Sequence, residues 1–205
     1  MQGMDLELAS LPPLERYKLL IGLVIPRPIA WISTRSANGI ANCAPFSFFN
    51  VFSEEPPLCM VSFNLRSDRE VKHTVKNIRR TGEFVVNLVD EATANAMHLS
   101  SYEYAEDESE FEKTGLTPVA AKLVSQPRIA EAAASLECKL ERRLQWGSAR
   151  EMVIGEILLV HAREDIIDPK TKRVSEEHYK PVGRLFASRY CTTRERFNLP
   201  GELPK

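Results

Sequence analysis

The chain has 205 residues, 43% of them hydrophobic and 27% charged, so one globular domain with a substantial core is expected. A formal net charge of −1 excludes the global positive field that recruits nucleic acid or anionic membranes. The four cysteines form no CxxC pair and the four histidines are scattered, so we expect reduced thiols and no metal. The longest apolar run, at 17–25, is too short to span a bilayer and follows acidic residues, which indicates a soluble, cytoplasmic protein.

The first part of the chain is predicted to hold one short helix and several strands. Pro13 suits the first turn of a helix, which we place at residues 13–20, ending before Gly22. Asn38-Gly39 is a strong signal for a hairpin turn. Strands are predicted where β-branched and aromatic residues lie between turn signals, at residues 30–34, 40–53 (strand and loop), 58–65 and 83–89.

The clearest helical pattern begins at Ser67, which with Glu70 matches a capping box, and ends at Gly82. The predicted apolar face consists of residues three or four positions apart: Val71, Val75 and Ile78. The segment also carries a cluster of cations: Lys72, Lys76, Arg79 and Arg80. Free amides at a helix start favour an anion, so these cations suggest a nearby phosphate.

The second half of the chain contains one ambiguous segment. Asp90 is predicted to cap a helix over about 91–104, and the acid-rich residues 104–115 are expected to form a solvated loop. Residues 130–145 combine helix-forming composition with the apolar–polar alternation of a half-buried strand. We favour a hairpin, in which this strand pairs with a strand at 151–164. Residues 192–205 are expected to form a peripheral tail.

These elements amount to six or seven strands and two or three helices, with several strands joined by short turns. This order favours an antiparallel barrel with helical decoration over a parallel βαβ sheet. The sequence contains no G-x-G-x-x-G motif and no P-loop, which argues against a Rossmann-type nucleotide site. Because no repeat or long Gly/Ser linker divides the chain, residues 1–205 are treated as a single domain.

Residues 42–50, NCAPFSFFN, have the composition of a ligand-binding loop. Small residues at 44, 45 and 47 would let a planar ring lie against backbone amides that are free of a sheet ladder. Hydroxyl and amide partners for a polyol or a phosphate are available nearby: Ser33, Thr34, Ser47 and Asn50. The three phenylalanines of the loop could line such a site or simply form core, and the residues alone leave both interpretations open.

Seven segments of the chain form an ordered set. They are PRPIAWIST (26–34), NGIANCAPFSFFNVFSEEPP (38–57), KHTVKNI (72–78), TGEFVVNLV (81–89), EFEKTGLTP (110–118), PRIAEAAASLECKL (127–140) and KPVGRLFASRY (180–190). In this order they resemble the flavin reductase-like, FMN-binding split-barrel family, in the branch with flavoredoxin-type proteins. The resemblance covers roughly residues 13–190. The family commonly has an aspartate where this chain has His73, so no role that needs a carboxylate there is carried over.

The resemblance implies a split β-barrel of six antiparallel, Greek-key-like strands with peripheral helices, which forms a homodimer and binds FMN (possibly FAD) near the dimer interface. It favours the strand interpretation of 136–145. It implies that Lys72 and Thr74 lie near the flavin phosphate. The flavin itself would be lined by Ser33, Thr34, Ala44, Pro45, Phe46, Ser47, Phe48, Phe49 and Asn50, with Ser62 nearby.

The favoured function is that of an NAD(P)H-dependent flavin reductase, with NAD(P)H as a transient co-substrate. Hydride transfer between stacked rings needs no side-chain nucleophile, so no catalytic residue is predicted. One alternative is an FMN-bound electron carrier fed by a partner protein. Another is a pyridoxamine-phosphate oxidase or haem-handling relative, which would lack the motif order above. The sequence leaves open whether NADH or NADPH is used. It also leaves open whether a partner monooxygenase or redox protein is the final electron acceptor.

Two segments are candidates for the edge or lid of the site. They are the acidic loop 103–112 and the segment 183–190. Arg184 and Tyr190 could contact a substrate or pack at a dimer interface, and His98 lies in another candidate edge. His73 could sit beside the phosphate or be an exposed helical histidine.

Overall fold

The structure is a computed structural model that describes residues 3–199 and 201. The helices are α1 (Pro13–Leu23), α2 (His73–Thr81), α3 (Ala94–Leu99) and α4 (Glu110–Thr114). The strands are β1 (Ala30–Arg35), β2 (Ala41–Phe46), β3 (Phe49–Glu54), β4 (Pro57–Asn64), β5 (Glu83–Leu88), β6 (Pro118–Val119), β7 (Arg128–Ile129), β8 (Ala134–Trp146), β9 (Arg150–Ala162), β10 (Val182–Arg184) and β11 (Tyr190–Thr192). None of the helices in the described residues is long and apolar enough to cross a membrane.

Seven of the strands form one antiparallel sheet in the order β2-β1-β5-β8-β9-β4-β3. The two edge strands, β2 and β3, are consecutive in the chain, and only residues 47 and 48 lie between them. The sheet must therefore curl until its two edges meet. The result is a barrel that is split between β2 and β3, and we call residues 44–50, which cross this split, the seam loop.

The barrel interior is filled by apolar side chains from the inward faces of the seven strands. Helix α2 closes one end, where Val75 and Ile78 are 2% and 0% exposed. Phe84 of β5 crosses the interior and reaches β9 at Gly155. A Cβ atom at position 155 would lie 2.4 Å from the Phe84 Cζ atom, so only glycine leaves room for this ring. The close fit is typical of protein cores.

A second apolar cluster covers the outer face of β1 and β2. Trp31 and Cys43 are completely buried there against Met97 of α3 and Phe111 of α4. The Trp31 indole N–H donates a hydrogen bond of 2.8 Å to Ser100 Oγ, which satisfies its one polar atom. Because β1 is covered on both faces, its sequence does not alternate between apolar and polar residues.

The strand predictions are confirmed, and so is the fold class of an antiparallel split barrel with peripheral helices. The main sheet has one strand more than the six implied by the resemblance, because residues 40–53 form two strands, β2 and β3. Within the ambiguous segment 130–145, residues from Ala134 onward belong to β8, which pairs with β9 as the hairpin interpretation predicted, whereas residues 130–133 form a turn before the strand. Of the predicted tail, residues 200 and 202–205 lie outside the described residues.

Several helix boundaries differ from the sequence predictions. Helix α1 continues through Gly22 to Leu23. The capping box prediction was wrong: α2 begins at His73 without a side-chain cap, and the Ser67 hydroxyl instead donates to Glu103. Gly82 does end α2, with φ of 68°.

The two predictions for residues 91–115 also need correction. Asp90 accepts a hydrogen bond from the Thr93 amide at 3.2 Å, but it closes a turn, and α3 spans only Ala94–Leu99. The acid-rich segment is not simply a solvated loop, because it contains α4, whose residues Glu110 and Phe111 are 4% and 1% exposed. Packing of Phe111 against the outer face of the barrel pulls this part of the segment inward.

Candidate functional site

The seam loop forms the floor of a groove on the barrel surface. Ala44, Pro45, Ser47 and Phe48 are half-buried, and Phe46 is 8% exposed. Residues 45–47 border two adjoining cavities, one of about 290 Å³ and one of about 150 Å³. Since β2 is an edge strand, one row of its backbone groups is not used by the sheet. The loop thus offers small side chains and backbone polar groups along the same surface.

The larger cavity is walled by α1, α3 and the C-terminal strands. Tyr17 comes from α1, and three further side chains form the opposite rim: His98, Arg184 and Tyr190. The His98 Nδ1 atom lies 3.4 Å from the Tyr190 hydroxyl, and the Arg184 guanidinium lies 4.6 Å from the centre of the Tyr190 ring. The structure therefore brings together the three residues that the sequence marked as edge candidates.

Arg27 fixes the base of this cavity and was missed by the sequence predictions. The residue is 7% exposed, and its guanidinium donates to the carbonyl oxygens of Ile21, Val24 and Leu185 at 2.7, 2.8 and 2.7 Å. A longer bond of 3.3 Å reaches Ser47 Oγ. Burial lowers the pKa of Arg27. Arg27 thus connects α1, the seam loop and the C-terminal segment through hydrogen bonds. The only feature of the sequence that singled it out was its position between two prolines.

The smaller cavity lies on the other side of the seam loop. It is lined by Phe48 together with Ser62 and Asn64 of β4, and by Arg150 at the start of β9. The Arg150 guanidinium lies 5.1 Å from the centre of the Phe48 ring, within the range of a cation–π contact. Ser62, which the resemblance placed near the flavin, is half-buried in this wall.

A third cavity, of about 40 Å³, adjoins the far end of the seam loop. It is bordered by Ala44 and by residues at the start of α2, namely Lys72, His73 and Thr74. Lys72 Nζ lies 3.6 Å from Glu103 Oε1, and His73 Nε2 lies 3.4 Å from Arg66 Nη1. Burial, followed by the Arg66 cation, lowers the pKa of His73. The ring is therefore neutral at neutral pH and lies next to the Arg66 guanidinium.

The remaining cations of α2 point away from this cavity. Lys76 pairs with Glu106 at 3.6 Å, and Arg80 donates to the Arg35 carbonyl oxygen at 2.7 Å. Arg79 pairs with Glu151. The cluster seen in the sequence is thus divided among three neighbours, and only Lys72 borders the seam loop.

Four buried polar side chains link β1, β2 and α2 beneath the groove. Asn42 Oδ1 accepts hydrogen bonds from Thr34 Oγ1 at 3.3 Å and from Thr74 Oγ1 at 3.0 Å. Asn77 Nδ2 donates to Thr34 Oγ1 at 3.0 Å. Thr34 is 0% and Thr74 1% exposed, so neither hydroxyl is available at the surface. They hold the start of α2 against the barrel.

Three other predicted residues lie outside the groove surface. Ser33 is 0% exposed, donates to the Pro127 carbonyl oxygen at 2.5 Å and accepts from Asn87 Nδ2 at 2.9 Å. Phe49 belongs to the barrel core. Asn50 is exposed on the edge strand, where its Oδ1 accepts from the Val51 amide at 2.9 Å. Phe49 and Asn50 are adjacent in β3 and point to opposite faces, one into the core and one to solvent. The predicted residues that line its cavities are Ala44, Pro45, Phe46, Ser47, Phe48, Ser62 and Lys72; Thr74 also borders the third cavity, but its hydroxyl is buried against Asn42.

Glu110 is the other side chain at this end that sequence reasoning missed. Its carboxylate accepts hydrogen bonds from Asn42 Nδ2 at 2.7 Å and from the Cys43 amide at 3.2 Å. Burial raises the pKa of Glu110 to about 7. It borders the third cavity and contributes a carboxyl group that titrates near neutral pH. The one signal in the sequence was the apolar Phe111 within an acidic run.

Comparison with known proteins identifies the family of the chain. Residues 22–191 match the family described as the flavin reductase-like domain, which is most of the chain. The chain belongs to this flavin reductase-like family. The resemblance noted from the seven ordered segments is thereby confirmed.

Members of the flavin reductase-like family and its neighbours match the chain over nearly its whole length. The crystal structure of a 2-nitrobenzoate 2-nitroreductase from Pseudomonas fluorescens has a TM-score of 0.90 and 35% identity, covering 98% of this chain and 99% of that one. Nitrilotriacetate monooxygenase component B from Bacillus cereus has a TM-score of 0.92 and 33% identity, covering 97% and 100%. An uncharacterized protein from Aquifex aeolicus is 47% identical over 174 residues, or 85% of this chain and 88% of that protein.

Proposed function

We propose that this flavin reductase-like chain binds FMN along the seam loop and reduces it with NAD(P)H. The observation that carries the proposal is the groove itself. Half-buried small residues form its floor, and Lys72 borders the cavity next to Ala44. The cavity next to His98, Arg184 and Tyr190 gives access from the other end.

The residues of the groove suit this cofactor. Ala44, Pro45 and Ser47 present little side-chain bulk to a planar ring, and the edge position of β2 supplies backbone groups for its polar rim. Lys72, with Arg66 behind it, would hold the phosphate. The cavity at that end measures about 40 Å³ and is bordered by both cations.

When bound, the flavin supplies a ring that accepts hydride, and the chain's own residues bind and orient it. Backbone donors of the seam loop aimed at the ring would stabilise negative charge on it. Phe48 and Arg150 would cover one side of the loop, which keeps water from that edge. No residue is assigned as a nucleophile, because hydride transfer between rings needs none.

We also propose that the protein works as a homodimer and passes electrons to a further acceptor. Helix α1 buries none of its residues in the single chain, which supports an interface at this helix. The similarity to a monooxygenase component and to a nitroreductase supports either a partner monooxygenase or a small nitroaromatic acceptor.

The decisive experiment is an anaerobic visible-absorbance titration of the purified protein with FMN, followed by NADH or NADPH. We expect a bound-flavin spectrum that bleaches on addition of a reduced nicotinamide and recovers with an added acceptor. A flavin that binds but keeps its absorbance would indicate an electron carrier fed by a protein. A chain that binds no FMN would contradict the proposal.

Two lysines of the same helical segment provide a matched test of where the flavin binds. Lys72→Ala should weaken FMN binding about tenfold, because a charged hydrogen bond to phosphate is lost. Lys76→Ala should leave the affinity unchanged, since Lys76 pairs with Glu106 away from the groove. Equal affinities of the two variants, measured by fluorescence titration, would place the phosphate elsewhere.

A further inference from the structure

A separate cavity of about 340 Å³ lies between α2 and the hairpin of β8 and β9. Its floor is apolar and is formed by Phe63, Leu65, Val71 and Val75. Gln145 and Ser148, near the hairpin turn, add polar groups at the rim, and four cations surround the opening: Lys72, Arg79, Arg143 and Arg150. We call this the arginine cavity. A cavity lined by apolar side chains and cations suits an anion that also carries a ring.

The one acid in the arginine cavity is already engaged. Glu151 is 6% exposed, and its Oε1 accepts from Arg143 Nε at 2.7 Å and from Arg79 Nε at 3.3 Å. Two guanidinium groups therefore share one carboxylate, which leaves a net positive charge at the rim. Because Glu151 is also largely buried, its carboxylate presents little surface to a hydroxyl group of a ligand.

Arg150 connects the arginine cavity to the flavin groove. It borders both the arginine cavity and the cavity beside Phe48, and Asn64 does the same. Within the part of the chain that the structure describes, Arg150 forms no ion pair with a carboxylate. A ligand that reaches from the groove into the arginine cavity would pass this cation.

These features distinguish between the two nicotinamide dinucleotides. In Rossmann-type sites an acidic residue binds the ribose 2′-hydroxyl of NAD, whereas an arginine accommodates the 2′-phosphate of NADP, and the same chemistry applies to any fold. Here the acid is occupied and arginines face the opening, which is the pattern for a phosphate. We propose that the arginine cavity binds the 2′-phosphoadenosine end of NADPH, so that the protein uses NADPH in preference to NADH. This inference rests on the proposed function and names its electron donor.

The test compares 2′,5′-ADP with 5′-AMP as competitors of NADPH in the bleaching of bound FMN. For the unaltered protein, 2′,5′-ADP should compete at a concentration at least about tenfold lower than 5′-AMP. Arg143→Gln should reduce this preference about tenfold and leave FMN affinity unchanged, since Arg143 does not border the groove. Arg142→Gln is the matched control: its side chain is exposed on the neighbouring position of β8, and the preference should persist.

Three results would overturn the inference while leaving FMN binding and reduction intact. They are equal competition by the two nucleotides, equal bleaching efficiency with NADH and NADPH, and an unchanged preference in both Arg143→Gln and Arg150→Gln. Failure of both dinucleotides to bleach bound FMN would instead contradict the proposed function. In that case, calorimetric titration with 2′,5′-ADP still decides the inference: binding that Arg143→Gln weakens supports a 2′-phosphate site, and no binding overturns it.

Discussion

Glu110 joins the acid-rich segment to the edge strand of the barrel through its buried carboxyl group. Burial raises its pKa to about 7 from an ordinary value of 4.5, although the Asn42 and Cys43 donors favour the ionised form. Between these two pH values the folded chain holds more protons on this residue than the unfolded chain does. The contribution of Glu110 to stability is therefore greatest below about pH 4.5 and falls as the pH rises to about 7.

Glu110→Gln should remove this pH dependence. Relative to the variant, the original protein should lose up to about 3 kcal/mol of unfolding free energy between pH 4.5 and pH 8, as measured by urea denaturation. At the acidic end the variant should be about 1 kcal/mol less stable, because the amide cannot accept from both donors. Glu112 is exposed on the same helix, so Glu112→Gln should show the same dependence of unfolding free energy on pH as the original protein. If the unfolding free energies of the original protein and both variants changed with pH in the same way, the raised pKa would not belong to Glu110.

Strand β9 lies between β8 and β4, and Gly155 is the place where it makes room for a side chain from across the barrel. A Cβ atom there would meet the Phe84 ring at 2.4 and 2.9 Å, well inside van der Waals contact. The ring is completely buried and cannot move aside without disturbing the interior. A methyl group at position 155 would therefore push against Phe84 and disturb the pairing of β9 with both neighbouring strands.

Gly155→Ala should lower the free energy of unfolding by about 1–3 kcal/mol, the usual cost of overpacking a core. Gly22→Ala is the matched control, since Gly22 lies inside α1 and a methyl group added there would have no atom within 4 Å. It should be neutral or raise the unfolding free energy by up to about 1 kcal/mol, because alanine favours helix. A second change, Phe84→Leu, should recover part of the loss in Gly155→Ala. Equal stability of the two glycine variants would contradict this account.

Elements defined by local pattern could be predicted from the sequence, and contacts made across the fold could not. Asn38-Gly39 and the alternation of 136–145 identified their hairpins because turn chemistry and side-chain period act over a few residues. The capping box failed because Ser67 bonds to Glu103, 36 positions further along the chain. Residues of the candidate site divide in the same way into those marked by local composition and those placed by contacts across the fold. The composition of 44–48 marked its floor, but burial of Thr34 and Glu110 arises from neighbours that only the fold brings near.

At the scale of the whole molecule, the N-terminal part presents an apolar surface to solvent. Helix α1 exposes Leu14, Leu20 and Leu23 by 61%, 44% and 71%, and no residue of the helix is buried. Tyr17 of the same helix contributes to the wall of the groove. Exposed apolar side chains mark candidate interaction sites, and in the proposed homodimer a second copy of the chain would cover α1 next to the proposed flavin.

We therefore expect a homodimer of the 23.2 kDa chain in solution. Replacing Leu14, Leu20 and Leu23 together by glutamine should produce a monomer in sedimentation analysis, because the hydrophobic contact is lost. Replacing Leu123, an exposed leucine remote in sequence from α1, should leave the dimer intact. A triple variant that sediments as a dimer would place the interface on another surface.

The two-residue connection between the edge strands also bears on how the barrel folds. Loop-closure entropy grows with the length of chain between the groups that meet, and here β2 and β3 are neighbours in the chain. Pairing of β4 with β9, by contrast, joins residues as far apart as Leu58 and Glu156. The conformational entropy cost of assembling the barrel therefore falls mainly on long-range pairings such as that of β4 with β9. The proposed ligand groove combines both kinds of contact: its floor is the local connection between β2 and β3, and its wall includes Asn64 and Arg150, which come from the long-range pair.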